Sequence, residues 1–226
     1  MTTVDRSGSA RERLLEAASE LFYGEGVNTV GIDRVIERAG VAKASLYKIF
    51  GSKDELIWAY LMEQHDATKA RMADALLTRY ATPRERLLGV FEVQSETYSA
   101  AEFRGCAFAN ATAEASAGSR IGGAATVYRE WLHGLFTDLA REAGAPDPVG
   151  LATQLVLVYD GASVSARMDR DAPSVAAASR RVAAALIEAS LGPSEPRDRP
   201  PVKSASIQKP QRTRTTSGKR PRATAP

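Results

Sequence analysis

The sequence predicts an all-α protein: a small N-terminal three-helix unit followed by a larger helical part. Three observations predict it. No segment makes a convincing strand. Apolar residues recur at spacings of three and four through most of the chain, the period of a helix buried on one face. Residues that start and stop helices punctuate the chain at regular intervals, and no internal repeat is present.

Ser9 with Glu12 three residues later has capping-box spacing and opens the first helix, which carries Leu14, Leu15, Ala18, Leu21 and Phe22. Gly24 and Gly26 should end it. A short helix follows from Ile32 to Ala39 with Gly40 as its stop, then a second from Lys43 to Phe50 closed by Gly51. Ser52 and Glu55 make another capping box, opening a long helix to about Tyr80. Thr82-Pro83-Arg84-Glu85 repeats the start signal, with proline where its missing N–H does no harm, and Leu87, Leu88, Phe91 and Tyr98 follow. A shorter helix is expected over Cys106 to Ala115, a flexible break at Gly118, Gly122 and Gly123, and a helix over Val127 to Ala143. Asp147-Pro148 and Ala172-Pro173 start the last two, and Gly192-Pro193 stops the final one.

The composition divides the chain. Residues 197–226 hold nine Lys or Arg and one acid, leaving 21 basic and 26 acidic residues in the rest. The basic character therefore belongs to the tail, and the body offers no bulk-charge argument for nucleic acid. Seven of the eleven prolines fall in residues 193–226, so that tail is expected to be disordered and basic. It reads either as a sequence-independent attraction to DNA or as a solvated extension. The expected division is 1–53, 54–192 and 193–226. No apolar run approaches the roughly 20 residues of a membrane span, and the N-terminus lacks the pattern of a secretory signal. A single cysteine, Cys106, fits a reducing, cytoplasmic setting.

The string from Gly26 to Leu56, GVNTVGIDRVIERAGVAKASLYKIFGSKDEL, carries the function. Ile32, Val35 and Ile36 can pack the first short helix, and Ala39-Gly40-Val41 permits a close turn. Leu46 and Phe50 can anchor the second helix from inside, leaving Lys43, Ala44, Ser45, Tyr47 and Lys48 outward. Small residues and hydrogen-bond donors on an exposed helix end suit entry into a major groove.

The Ala39-Gly40-Val41 turn, Leu46-Tyr47, Phe50 and Ser52-Lys53 resemble the helix-turn-helix of the tetracycline-repressor (TetR) family, a likeness covering residues 10–57. The resemblance implies that Lys43, Ala44 and Ser45 touch base edges, that Tyr47 and Lys48 touch bases or phosphates, and that Lys53 touches phosphate. Gly31 stands where a threonine often bonds phosphate, so only backbone N–H groups could serve there. Ile49 stands where a histidine is common and cannot donate. Arg34, beside Asp33, is a candidate for reaching phosphate.

One such unit reads one half-site, so two chains must pair. The last two helices are the expected dimer interface through Leu151, Leu155, Val158, Val182 and Leu186; packing inside one chain is the alternative. Phe91, Tyr98, Phe108, Asn110, Tyr128 and Trp131 could wall a pocket for a small apolar or aromatic effector, or could be ordinary core. Arg104 could lower the Cys106 pKa and make a thiol sensor, although a buried, inert cysteine is the commoner outcome. Asp160 reads as a capping or salt-bridged group, or as a polar ligand contact.

The expected partners are double-stranded operator DNA, a small-molecule effector and a second copy of the chain, with no cofactor, metal or membrane. There is no glycine-rich phosphate loop, and His65 and His133, the only histidines, have no metal-ligand spacing. An enzyme is therefore not expected. A repressor released by its effector is the leading reading. The alternative is a DNA-binding regulator without a small-molecule ligand, controlled by a protein partner or by abundance.

Overall fold

Helices account for all the regular structure in the computed structural model, which describes residues 8–116, 119–169 and 171–192. They are α1 (Ala10–Glu25), α2 (Ile32–Ala39), α3 (Lys43–Phe50), α4 (Lys53–Arg79), α5 (Pro83–Ser95), α6 (Ala107–Glu114), α7 (Arg120–Glu142), α8 (Pro148–Asp169) and α9 (Ala172–Leu191). The basic tail and Gly118 lie outside the described residues.

Local chemistry sets the helix ends. At α1 the Ser9 Oγ accepts from Glu12 N at 3.3 Å, and the Ser9 N–H donates to the Glu12 carboxylate at 2.7 Å. Thr82 and Glu85 make the same reciprocal pair at α5. Ser52 accepts from Glu55 N at 3.1 Å. The Glu55 carboxylate does not turn back, however; it meets Arg120 of α7 at 3.0 Å. The expected second box is thus half formed, because a cation from another helix outbids a local N–H. Asp171 accepts from Ser174 N and caps α9.

Two expectations need correction in this region. The expected break before Val127 is not where α7 begins: the helix starts at Arg120 and contains Gly122 and Gly123. The reason is packing. A Cβ on Gly123 would lie 3.1 Å from the Trp58 ring, so the glycine brings α7 close to α4. Likewise Gly24 is helical, and only Gly26, with φ 99°, ends α1.

The core is continuous from α1 to α9. It joins Leu14, Leu15 and Phe22 of α1 to Leu46 of α3, Leu56 and Tyr60 of α4, Phe91 of α5, Phe136 of α7 and Ile187 of α9. The expected boundary at residue 53 falls on the first residue of α4, which runs unbroken from the short helices into the larger part. All described residues belong to one compact unit.

α8 is long and apolar enough to cross a membrane by length and composition alone, a test that a core helix also passes. Its apolarity serves two faces. Leu151, Leu155, Val156 and Tyr159 are buried within the chain. Leu157, Val164 and Met168 are exposed, at 66%, 50% and 73%, and with Gly161 they form one stripe at spacings of three and four. On α9 the exposed residues Ala178, Val182, Ala185 and Ala189 form a matching stripe. Leu151 and Leu155 therefore cannot meet a second chain as expected, because their surface is already spent inside. Val158 and Leu186 are half-buried, and Val182 is exposed.

Tyr80, at the end of α4, presses its ring against Gly89 in α5; a Cβ there would sit 2.5 Å from one ring carbon and 2.7 Å from two others. Alanine would gain up to about 1 kcal/mol of helix propensity. Overpacking costs about 1–3 kcal/mol and should win. Gly89→Ala is expected to lower the denaturation midpoint in urea, and an unchanged or raised midpoint would refute the steric argument.

Candidate nucleic-acid interface and internal cavity

An eight-residue helix is not stable alone in water, so α3 must be held from outside. Its sole buried residue is Leu46, with no exposed surface. Phe50 and Val41 add half-buried contacts to the same core. Gly40 takes the left-handed conformation, φ 62° and ψ 39°, which turns the chain sharply between α2 and α3 and strains any residue with a Cβ. The Arg13 guanidinium donates to the Ala39 carbonyl at 3.2 Å, tying the end of α2 to α1.

With Leu46 facing in, Lys43, Ala44, Tyr47 and Lys48 face out, and Ser45 is half-buried at the edge. Tyr47 is 46% exposed and Ile49 is exposed beside it. Their exposed apolar surface on a short helix suits contact with another molecule. Gly31 caps α2 with extended backbone and no side-chain bond, which leaves the first N–H groups of the helix available. Lys53 is half-buried at the start of α4.

Two of the expected phosphate or base contacts are occupied. Arg34 forks onto Glu25 with bonds of 2.6 and 2.8 Å, and Lys43 meets Asp33 at 2.8 Å. Each partner favours the charged form and raises the pKa of its cation. Both pairs are open to solvent, where ion pairs are weak and screened by salt, so a phosphate can displace either carboxylate.

Above this region lies a cavity of about 140 Å³ among α1, α4, α5, α6, α7 and α8. Of the six residues expected to wall a pocket, Phe108 and Tyr128 line this one, stacked with ring centroids 4.1 Å apart, and Tyr98 lines a separate cleft of about 590 Å³ with Phe103 and Arg104. The other four are placed elsewhere. Phe91 packs on Phe136 and Tyr159 in the core. Tyr98 packs on Phe103 in a separate small cluster. Trp131 stands edge-on to His65 at 5.4 Å. Asn110 donates to the Arg104 carbonyl at 2.9 Å and accepts from Arg167 at 2.5 Å.

The rest of the lining was not anticipated: Tyr23, Gln64, Thr68, Arg71, Gln94, Thr97, Tyr159 and Ser163 bring polar groups into it. Sequence patterns find apolar faces, and a cavity shared by six helices leaves no pattern in any one of them. Cys106 also lines the cavity, and burial pushes its thiol up, away from reactivity. Arg104 does not oppose this, since its guanidinium bonds the Ala101 and Phe103 carbonyls. Asp160 is salt-bridged to Arg129.

The cavity touches the N-terminal unit directly. The Tyr23 hydroxyl of α1 donates to the Gly105 carbonyl at 3.0 Å and accepts from Arg104 N at 2.9 Å. Glu114, at the end of α6, accepts from Asn28 N at 2.7 Å, and its carbonyl accepts from the Asn28 side chain at 2.6 Å. Gly26 makes room for this latch, since a Cβ there would meet the Glu114 carboxylate at 2.6 Å.

Residues 14–60 match the family described as bacterial regulatory proteins, tetR family. The crystal structure of SCO4454, a TetR-family transcriptional regulator from Streptomyces coelicolor, superposes with a TM-score of 0.75 at 31% identity, covering 80% of this chain and 96% of that one. The transcriptional activator FasR of Mycolicibacterium smegmatis is 40% identical over 82 residues, 36% of this chain and 37% of FasR. The transcriptional repressor KstR2 of Mycobacterium tuberculosis is 34% identical over 88 residues, 39% of this chain and 44% of KstR2. The alignment thus spans less than half the length of these two curated relatives.

His65 is buried against Tyr128 and Trp131, and its Nδ1 has no partner. Burial lowers its pKa below 6.5, with Asp66 opposing and Lys69 assisting. The folded chain therefore binds this proton less readily than the unfolded chain does. Stability from this group is full above pH 6.5 and is lost as pH falls through and below it. His65→Phe should flatten the melting-temperature profile below pH 6.5; a profile as steep as that of the parent would refute the assignment.

Proposed function

Because the chain belongs to the TetR family of bacterial regulatory proteins, we propose that it is a repressor that binds a palindromic operator as a homodimer and is released by a small effector. The coarser part of this is secure: the chain is a DNA-binding transcriptional regulator of the TetR type. One observation carries the finer reading of the site. Leu46, with Phe50 and Val41 beside it, anchors α3 from inside, so Lys43, Ala44, Tyr47 and Lys48 are left on the exposed face of a helix too short to be stable alone.

In this reading α3 enters the major groove, where Lys43, Ala44 and Ser45 meet base edges. Tyr47 and Lys48 reach bases or phosphate, while Arg34, Lys53 and the N–H groups beside Gly31 hold the backbone. Residues 1–53 serve DNA, 54–192 serve effector and pairing, and the basic tail adds attraction without specificity. A second copy docks on the exposed stripes of α8 and α9, which support pairing because Gly161 and the α9 alanines let two helix pairs approach closely. Two recognition helices about 34 Å apart then read successive major-groove faces. The repressor sign is inferred from likeness to KstR2, whereas FasR is an activator.

One observation favours a regulator without a small-molecule ligand: the cavity, about 140 Å³, is smaller than the roughly 300 Å³ at which ordinary ligand pockets begin. Its polar lining argues the other way, since a merely packed core would be apolar.

Selection of bound duplexes from a random pool should return an inverted repeat, and failure to enrich any sequence would defeat the reading. Tyr47→Ala and Lys53→Ala should each weaken operator binding about tenfold or more, while circular dichroism and sedimentation stay unchanged. For the pairing face, Leu157→Glu with Met168→Glu should convert the dimer to folded monomers in sedimentation; a dimer that survives both changes would place the interface elsewhere.

A further inference from the structure

We infer that the cavity takes a single-ring aromatic carboxylate carrying a hydroxyl group, held by Arg71 and Gln94. This rests on the effector reading above and names its chemistry. Size comes first: a cavity of about 140 Å³ is close to the void of about 150 Å³ that admits benzene in an engineered core, so it houses a single ring and leaves the carboxylate at the exposed rim beside Arg71. Shape follows. Phe108 and Tyr128 lie stacked at 4.1 Å and 6° and offer a flat aromatic wall, against which a ring packs offset or edge-on.

Charge then selects the acid. Arg71 lines the cavity, and no Asp or Glu does. Every ion pair among the described residues involves other cations, and Arg71 makes no hydrogen bond among them. Arg71 is exposed, so its guanidinium stands solvated at the rim of the cavity, where its planar fork of donors suits a carboxylate.

The hydroxyl is argued from Gln94, which is 4% exposed. Its amide nitrogen donates to the Tyr159 carbonyl and to Ser163 Oγ, both at 2.8 Å, which fixes the orientation of the amide. The remaining oxygen, Oε1, is buried without a partner. A buried acceptor of this kind is costly to leave unmet. A neutral donor satisfies it, whereas an ammonium would sit in the same cavity as the Arg71 cation.

The test uses the full chain and three ring-matched probes: 4-hydroxybenzoate, benzoate and 4-hydroxybenzamide. Calorimetric titration should rank 4-hydroxybenzoate first, with the amide and the unsubstituted acid each about tenfold weaker or more. Arg71→Gln should cost the acid about that factor and leave the amide unchanged, while Arg71→Lys restores part of it. Gln94→Met should remove the advantage of the hydroxyl; if that variant does not fold, the ranking of the probes on the parent chain still decides. Equal binding of acid and amide, indifference to Arg71→Gln, or no binding by any of the three, as for a void that holds only water, overturns the inference. Fluorescence anisotropy on the selected operator runs alongside. Operator binding indifferent to all three probes sinks the inference and spares the regulator, whereas a protein that prefers the acid but ignores all duplexes sinks the regulator and spares the cavity chemistry.

Discussion

A helix that must lay one face against DNA cannot use that face to stay folded. For α3 the whole burden falls on the other side, where Leu46 is the single fully buried residue. Burying a leucine is worth about 1.5–3 kcal/mol, which is comparable to the cost of fixing only one or two residues of backbone. The rest must come from the ends: Gly40 sets the entry angle, Gly51 closes the exit, and Arg13 holds the carbonyl at the end of α2. The proposed recognition surface is therefore an extension of the α1 core, positioned by packing on the opposite side of α3.

The surface has been left weakly committed. Arg34 and Lys43 rest on Glu25 and Asp33, carboxylates from the neighbouring helix ends. Such pairs hold the cations close to where phosphates or bases would lie and spare the free chain a bare positive patch, yet solvent screens them enough for exchange. The body of the chain carries more acids than bases, so in the proposed reading its attraction to DNA would be local to this face.

Much of the fold was legible because helix ends are written in short-range chemistry. Ser9 with Glu12 and Thr82 with Glu85 were readable as boxes since both partners sit within one turn. What could not be read depended on other helices. Glu55 has the spacing of a capping residue and spends its carboxylate on Arg120. Gly122 and Gly123 look like a break and instead belong to a helix pressed against Trp58. On α8, apolar on two sides, nothing in the pattern says which stripe faces inward, so Leu151 and Leu155 were given the role that Leu157, Val164 and Met168 are free to play. Of the residues expected to face DNA, Lys43, Ala44, Tyr47 and Lys48 lie on the outside, as burial of Leu46 at helical period requires. The cavity was half missed because its polar members, Gln94 above all, come one or two from each helix.

The same arrangement explains how a small internal event could reach the DNA face. The cavity wall is not insulated from α1, because Tyr23 belongs to both: it lines the void and clamps the backbone of residues 104 and 105. A second clamp, Glu114 on Asn28, joins the far end of α6 to the turn that leads into α2. α6 is short, with only Phe108 and Ala111 fully buried, and Phe108 is itself part of the cavity wall. A ligand that displaces Phe108 thus acts on the least anchored helix in the wall, and that helix holds the α1–α2 turn through Asn28. Packed interfaces respond to such displacement by moving as units. The size of the response is bounded by the ligand's difference in affinity for the two arrangements. In the effector reading proposed above, the element on which a switch would act is α6, modestly anchored between a polar void and the turn that positions α2.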